Sequence, residues 1–217
     1  MSDDISIDRR MRFILELRQG GVTDAQVLSA MERTPRLHFA PPQFAAFALE
    51  DRALPLGDGQ QMSKPLVVAR MLAALELKGA DTVLEVGAGS GYQAAVIGAS
   101  ARRVISLERR QALAAAARGK IGELRAMHVY IHSADGADGW PDDAPYDRIV
   151  INAAIAAPPP VLAAHLMPGG ILVAPVGEAN AEQRLMQFRK TVDGGFETRD
   201  CGPIRLTALE AGTAACR

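Results

Sequence analysis

The stretch Val83-Leu84-Glu85-Val86-Gly87-Ala88-Gly89-Ser90-Gly91-Tyr92 constrains this chain more than any other. A branched-apolar run, three glycines at alternate positions and an alanine-rich pattern predict a strand, a tight turn and a helix. Glycine tolerates positive φ and lets a ligand approach without meeting a Cβ. The turn would deliver that ligand to helix N–H groups that have no intrahelical partner. From residue 82 onwards strand and helix alternate. The expected strands are Thr82–Val86, Arg103–Leu107, Met127–His132, Asp147–Ala153 and Gly170–Val176, with helices at Tyr92–Ala99, Arg110–Leu124 and Val161–Leu166. This alternation predicts an α/β fold, a doubly wound, mainly parallel sheet with helices on both faces. Gln183–Thr191 and Thr198–Leu209 flank Asp193-Gly194-Gly195, so the sheet should end in a C-terminal antiparallel hairpin.

Residues 1–78 follow another pattern. Asp8 to Gln19 forms an amphipathic helix stopped by Gly20-Gly21, and Thr23 or Asp24 can cap a second helix ending near Pro35. A short helix through Phe44 and Phe47 follows. Ala53 to Pro65 is a polar, glycine-containing loop, after which Lys64–Leu77 is helical with Ser63 as its natural N-cap. We expect a single domain, with a helical N-terminal cap and loop (1–78) packed on an α/β core (79–217). The 48% hydrophobic and 23% charged content is that of a globular chain. A net charge of −1 gives no electrostatic case for nucleic acid or an anionic membrane as partner. No apolar run reaches a membrane span, and Met1-Ser2-Asp3-Asp4 is unlike an export signal, so a cytoplasmic location is expected. Cys201 and Cys216 lack metal-ligand spacing and read as free thiols, and no metal is expected.

The glycine spacing separates two kinds of cofactor. Dinucleotide sites use G-x-G-x-x-G, whereas the third glycine here comes one residue early, at Gly91, and Glu85 precedes the first by two. This E-x-G-x-G-x-G pattern is similar to the motif of class I S-adenosylmethionine-dependent methyltransferases, whose cofactor has no pyrophosphate. Candidate cofactor residues are therefore Glu85, Gly87, Ala88, Gly89, Ser90 and Gly91. In a doubly wound sheet ligands bind beyond the carboxyl ends of the strands. Glu108, at the end of the second strand, is placed to grip ribose hydroxyls. Asp135 and Gly136 follow the third strand, where an acid could meet an adenine amino group, although Asp-Gly is also a common turn pair. Asp138-Gly139-Trp140 reads as loop and packing. The four histidines, His38, His128, His132 and His165, are scattered and suit structural or surface positions.

Several segments together resemble the protein-L-isoaspartate O-methyltransferase family from about residue 24 to about residue 190. They are Thr34-Pro35-Arg36-Leu37-His38-Phe39-Ala40-Pro41, Ala53-Leu54-Pro55-Leu56-Gly57, Gly59-Gln60-Gln61-Met62-Ser63-Lys64-Pro65, Glu85–Tyr92, Asp135-Gly136, Ala144–Ile149 and Pro168-Gly169-Gly170. The resemblance implies a class I methyltransferase fold with a SAM-binding, Rossmann-like core. It implies an enzyme that esterifies the free carboxylate of L-isoaspartyl, and in some members D-aspartyl, residues in damaged proteins, which starts their repair. By the same resemblance Ser63 matches the active-site serine that hydrogen-bonds the acceptor carboxylate. Gln60, Gln61, Met62, Leu206 and Thr207 would then face the substrate. The missing Ser/His/Asp or Cys/His set fits this chemistry, since a carboxylate is ionised at neutral pH and needs no general base.

The chain departs from the family pattern mainly on the acceptor side. Gln61 stands where a threonine is usual, Leu49 where an aromatic is usual, and Leu206-Thr207-Ala208-Leu209 where a Phe-Val-Pro-Leu-like segment is usual. Such changes can alter which acceptor is taken without disturbing the cofactor. Two alternatives therefore stand beside isoaspartyl methylation. One is methylation of a different acceptor on the same fold, the other SAM binding without turnover.

Overall fold

A computed structural model of the chain describes residues 7–178 and 181–213. The acidic N-terminal tetrapeptide and Cys216 lie outside the described residues. Three helices open the chain, α1 (Ile7–Gln19), α2 (Ala25–Arg33) and α3 (Arg36–Phe39), followed by a 3-10 helix at Pro42–Phe47. Asp24 is the residue that caps α2, its carboxylate accepting from the amides of Gln26 and Val27 at 2.9 and 3.0 Å.

The expected polar loop contains a small hairpin, β1 (Leu54–Gly57) with β2 (Gln60–Met62). Its turn, Gly57-Asp58-Gly59, has positive φ at all three residues. The strands are too short to show alternation, so the turn chemistry was the readable signal. Next comes α4 (Pro65–Leu75), whose N-cap is Lys64 rather than Ser63. Ser63 lies one residue outside the helix, and Asp51 supplies the capping acceptor, taking the amide of Leu66 at 2.9 Å. The helix also stops two residues early, because Glu76 turns left-handed with φ 51°.

The core follows as β3 (Thr82–Val86), α5 (Tyr92–Gly98), β4 (Arg103–Glu108), α6 (Gln111–Glu123), β5 (Val129–Ser133), β6 (Tyr146–Ile151), α7 (Pro160–His165), β7 (Leu166–Val176), β8 (Gln183–Lys190) and β9 (Phe196–Ile204). These seven strands form one sheet in the order β5-β4-β3-β6-β7-β8-β9. The first five run parallel to one another, and the β7–β8 and β8–β9 pairs are antiparallel. The expected fold class is the observed one. β7 begins at Leu166, four residues before the expected start, because Leu166 already pairs with Tyr146 ahead of an irregularity in the register.

Side chains alternate across the sheet and so build two cores. Val83, Val104, Val150, Ile171 and Val173 pack with α1, α2, α4, α5 and α6. Leu84, Val86, Ile105, Leu107, Ile149 and Ile151 face the other way, against the α7 side. All five residues of β3 are buried. Strand order reverses between β3 and β6: the chain runs outward from β3 to β5, then returns to the other side of β3. The carboxyl ends of β3 and β6 therefore open onto one crevice, the place where ligands bind in such sheets.

Candidate functional site

The turn after β3 is built by backbone conformations open mainly to glycine. Gly87, Gly89 and Gly91 have φ of 92°, 52° and 84°. The amides of Gly87 and Ala88 donate to the Leu107 carbonyl at 2.8 and 3.0 Å, which ties the turn to β4. A Cβ at Gly91 would stand 3.1 Å from the Cβ of Ala117, so this glycine also admits α6. Glu108, at the end of β4, accepts from the Gly89 amide at 2.9 Å through one oxygen and from the Arg110 amide at 2.9 Å through the other.

Beneath the turn lies a buried polar network. Glu85 has 0% exposure. The Ser106 hydroxyl donates to one of its oxygens, and Asn152 Nδ2 donates to the other at 2.9 Å. Asn152 Nδ2 also donates to the Gly87 carbonyl at 2.9 Å, and its Oδ1 accepts from Gln93 at 2.7 Å. The Glu85 carboxyl is raised to about 8: burial drives it up, the hydrogen bonds to Ser106 and Asn152 offset part of the rise, and the Glu108 charge adds to it. At neutral pH Glu85 therefore favours its protonated form, in which the pair with Ser106 reverses and the carboxyl O–H donates to the Ser106 oxygen while Asn152 still donates to the other carboxyl oxygen. It supports the turn from below.

A cavity of about 740 Å³ opens above the turn, within the range of small-molecule sites. Gly87, Ala88, Gly89, Ser90, Glu108 and Asn152 line one wall. Gln60, Gln61, Met62 and Ser63 line another, and Leu206 and Thr207 a third. Ser63 is half-buried, and among the described residues its hydroxyl makes no hydrogen bond. A smaller cavity of about 80 Å³ adjoins it beyond Glu108 and is lined by Gly136 and by residues 207–210. A Cβ on Gly136 would come within 2.2 Å of Val86, so only glycine fits there. Glu85, Gly91 and Asp135 line neither cavity. The Asp135 carboxylate accepts from the Ala137 amide at 2.9 Å and from the Gly212 amide.

Side-chain grips on backbone carbonyls hold the other two walls of the cavity. Arg36, 1% exposed, donates to Ala48 O and Ser63 O at 2.8 Å each, and its guanidinium lies 4.9 Å from the Tyr92 ring centroid. Burial lowers its pKa to about 10, so it is a cation at neutral pH. One side chain thus joins the cap, the Ser63 loop and the helix that follows the glycine turn. Arg70 donates to Cys201 O and Pro203 O, and Gln183 brackets Leu206 by taking its amide at 2.8 Å and donating to its carbonyl at 2.9 Å. Arg36, Arg70, Asn152 and Gln183 escaped the sequence reading. Two of them carried a signal: Arg36 lies within the Thr34–Pro41 segment that bears the family resemblance, and Asn152 is a polar residue where a buried strand meets the same crevice as the glycine turn. Trp140 packs, as expected, stacking on His132 at 4.1 Å. Among the described residues no group of His, Cys, Asp and Glu is arranged to hold a metal ion.

The family model for protein-L-isoaspartate(D-aspartate) O-methyltransferase matches residues 8–213. This chain belongs to that family. The match runs further in both directions than the motif resemblance did. The Maricaulis maris protein-L-isoaspartate O-methyltransferase is 44% identical over 206 residues, 95% of this chain and 96% of the relative. The Anaeromyxobacter dehalogenans protein of the same name is 46% identical over 190 residues, 87% and 91% of the two chains. A solved protein-L-isoaspartate O-methyltransferase aligns with a TM-score of 0.82 at 22% identity, over 93% of this chain and 66% of that one. A Plasmodium falciparum structure described as a family member in complex with S-adenosyl-L-homocysteine gives 0.77 at 19% identity, over 92% and 97%. At these identities the two structures establish the shared fold, and the family assignment comes from the sequence matches.

Proposed function

We propose that this protein is a SAM-dependent carboxyl methyltransferase that esterifies L-isoaspartyl residues in damaged proteins or peptides. The observation that carries the reading is the single cavity that faces the glycine turn, Glu108 and the free hydroxyl of Ser63 together. The residues present fit the cofactor. Each Glu108 oxygen uses one lone pair on a backbone amide, which leaves acceptor capacity for ribose hydroxyls. The alternate glycines leave the turn's surface without side chains, Gly136 does the same for the adjoining cavity, and Asp135 stands behind it as a support of that turn. S-adenosylmethionine supplies a methyl group already activated by its sulfonium.

The protein's own task is then alignment and exclusion of water. The acceptor carboxylate arrives ionised and needs no base. In this reading the Ser63 hydroxyl donates to one carboxylate oxygen and so aims the other at the methyl group. Gln60, Gln61, Met62, Leu206 and Thr207 form the walls between which the acceptor lies. Residues 1–78 act as cap and acceptor loop on the cofactor core of 79–217, within one domain. The reading needs neither nucleic acid nor membrane as partner; no helix among the described residues is long and apolar enough to cross a membrane. It places the enzyme in the cytoplasm, where its cofactor is made, and cell fractionation tests that.

The decisive experiment supplies methyl-labelled SAM with an isoaspartyl peptide and, as control, its aspartyl isomer. Base-labile methyl ester on the isoaspartyl peptide alone is the expected result. SAM binding with no label transferred would overturn the reading in favour of a binding protein, and label only on another acceptor would redirect it.

A further inference from the structure

Five charged side chains line the large cavity: Asp51, Lys64, Arg70, Glu108 and Arg205. Three are committed within the fold. Asp51 caps α4 at the Leu66 amide, Arg70 grips the carbonyls of Cys201 and Pro203, and Glu108 holds the amides of Gly89 and Arg110. Lys64 and Arg205 make no hydrogen bond or ion pair among the described residues, and both are exposed. They come from different walls, Lys64 directly after Ser63 and Arg205 directly before Leu206.

The backbones that carry them are anchored. The Ser63 carbonyl is held by Arg36, and the Lys64 carbonyl accepts from the Val68 amide at 3.1 Å. Ile204 pairs with Gln183 across the hairpin, and the Gln183 side chain takes both backbone groups of Leu206. Two uncompensated cations on fixed supports thus stand at the mouth of one cavity. Their exposure sets them apart from the reacting carboxylate, which must lie deeper and drier. A close cation would also draw charge from the attacking oxygen and slow it.

We propose that Lys64 and Arg205 form a subsite for a second carboxylate of the substrate, so that the enzyme favours isoaspartyl sites with an acidic side chain one or two residues away. This rests on the isoaspartyl reading above. Two exposed pairs of this kind give a preference of about three- to tenfold at low salt, shrinking as added salt shortens the screening length.

The test uses two isoaspartyl peptides that differ only by Glu or Gln beside the isoaspartyl residue. kcat/KM is measured at low and high salt for the wild type, K64Q/R205Q and K64E/R205E, with S-adenosylhomocysteine binding measured on each. In the wild type the Glu/Gln ratio should be three to ten and fall towards one with salt. It should be about one in K64Q/R205Q and below one in K64E/R205E, an inversion that a merely structural role would not produce. S-adenosylhomocysteine affinity should be alike in all three. A wild-type ratio of one, with both peptides methylated, overturns the subsite and leaves the isoaspartyl reading standing. Methylation of neither peptide overturns that reading and this proposal with it. A ratio unchanged in the variants overturns the assignment to these residues. Cofactor affinity that falls in the variants, with the ratio unmoved, assigns the cations to the cofactor's own carboxylate instead.

Discussion

Glu85 makes a sharp test of how the glycine turn is supported. Its carboxyl is fully buried, paired with the Ser106 hydroxyl and with Asn152 Nδ2, and it is raised from its usual 4.5 to about 8, chiefly by burial. The folded protein therefore keeps a proton that the unfolded chain has released between those values. Where the native state holds one more proton, stability falls as pH rises, by about 1.4 kcal/mol per unit for one group. The Glu85 contribution is thus full below pH 4.5, is lost progressively towards pH 8, and amounts to about 4 kcal/mol over the upper three units.

Glu85→Gln removes the titration while keeping the shape and the ability to pair with Ser106 and Asn152. Urea unfolding of both proteins at pH 5, 6, 7 and 8 isolates the effect, since every other titrating group cancels in the difference. The two should be close in stability near pH 5, and the variant should be the more stable by a margin that grows to as much as ~4 kcal/mol by pH 8. Two curves that run parallel from pH 5 to 8 would refute the buried, protonated carboxyl. S-adenosylhomocysteine affinity should be nearly kept in the variant, because Glu85 lines neither cavity. A loss of a hundredfold or more in a stably folded variant would show that the carboxyl touches the cofactor after all.

Ser63→Ala should lose most turnover with SAM affinity nearly unchanged, read by single-turnover labelling beside calorimetric binding; unaltered turnover sinks the assigned role. Gly91→Ala forces a side chain into φ of 84° with its Cβ 3.1 Å from Ala117, so a loss of about 1–3 kcal/mol and weaker cofactor binding are expected from melts and titration calorimetry. Arg36→Lys keeps the charge but cannot reach both Ala48 O and Ser63 O from one planar fork. It should cost about 2–4 kcal/mol of stability and reduce kcat more than it weakens SAM binding, and an equal fall in both would deny Arg36 a part in placing Ser63.

The core of the fold was legible because its elements are locally decided. β3 falls on the expected residues, and β4, β5 and β6 lie within one or two of theirs, since a buried strand is a short branched-apolar run bounded by turn residues; β7 ends where expected but starts four residues early. The departures have tertiary causes. β9 stops at Ile204 rather than Leu209 because Gln183 captures Leu206, and Ala154 then exchanges hydrogen bonds with Thr207 and Leu209. These contacts draw the chain off the sheet edge and across the crevice. Nothing within residues 204–209 announces that turn away, because the partners that cause it are 23 and about 54 positions distant.

The same division explains why the two halves of the site were unequally readable. The cofactor half is one contiguous turn whose shape is dictated by glycines at fixed spacing, with Glu108 placed by the next strand. The half that the proposed reading gives to the acceptor is assembled from residues 59–64 and 203–207, held by Arg36, Arg70 and Gln183 through bonds to backbone carbonyls. A carbonyl is blind to the side chain it belongs to. Such bonds fix where Gln61, Lys64, Arg205 and Leu206 stand without specifying what stands there. The walls that the proposed reading gives to the acceptor can therefore change residue while the scaffold and the glycine turn keep their form. On the proposed reading, the family-level chemistry would reside in the turn and Ser63, and this chain's choice of peptide in side chains that the scaffold leaves free.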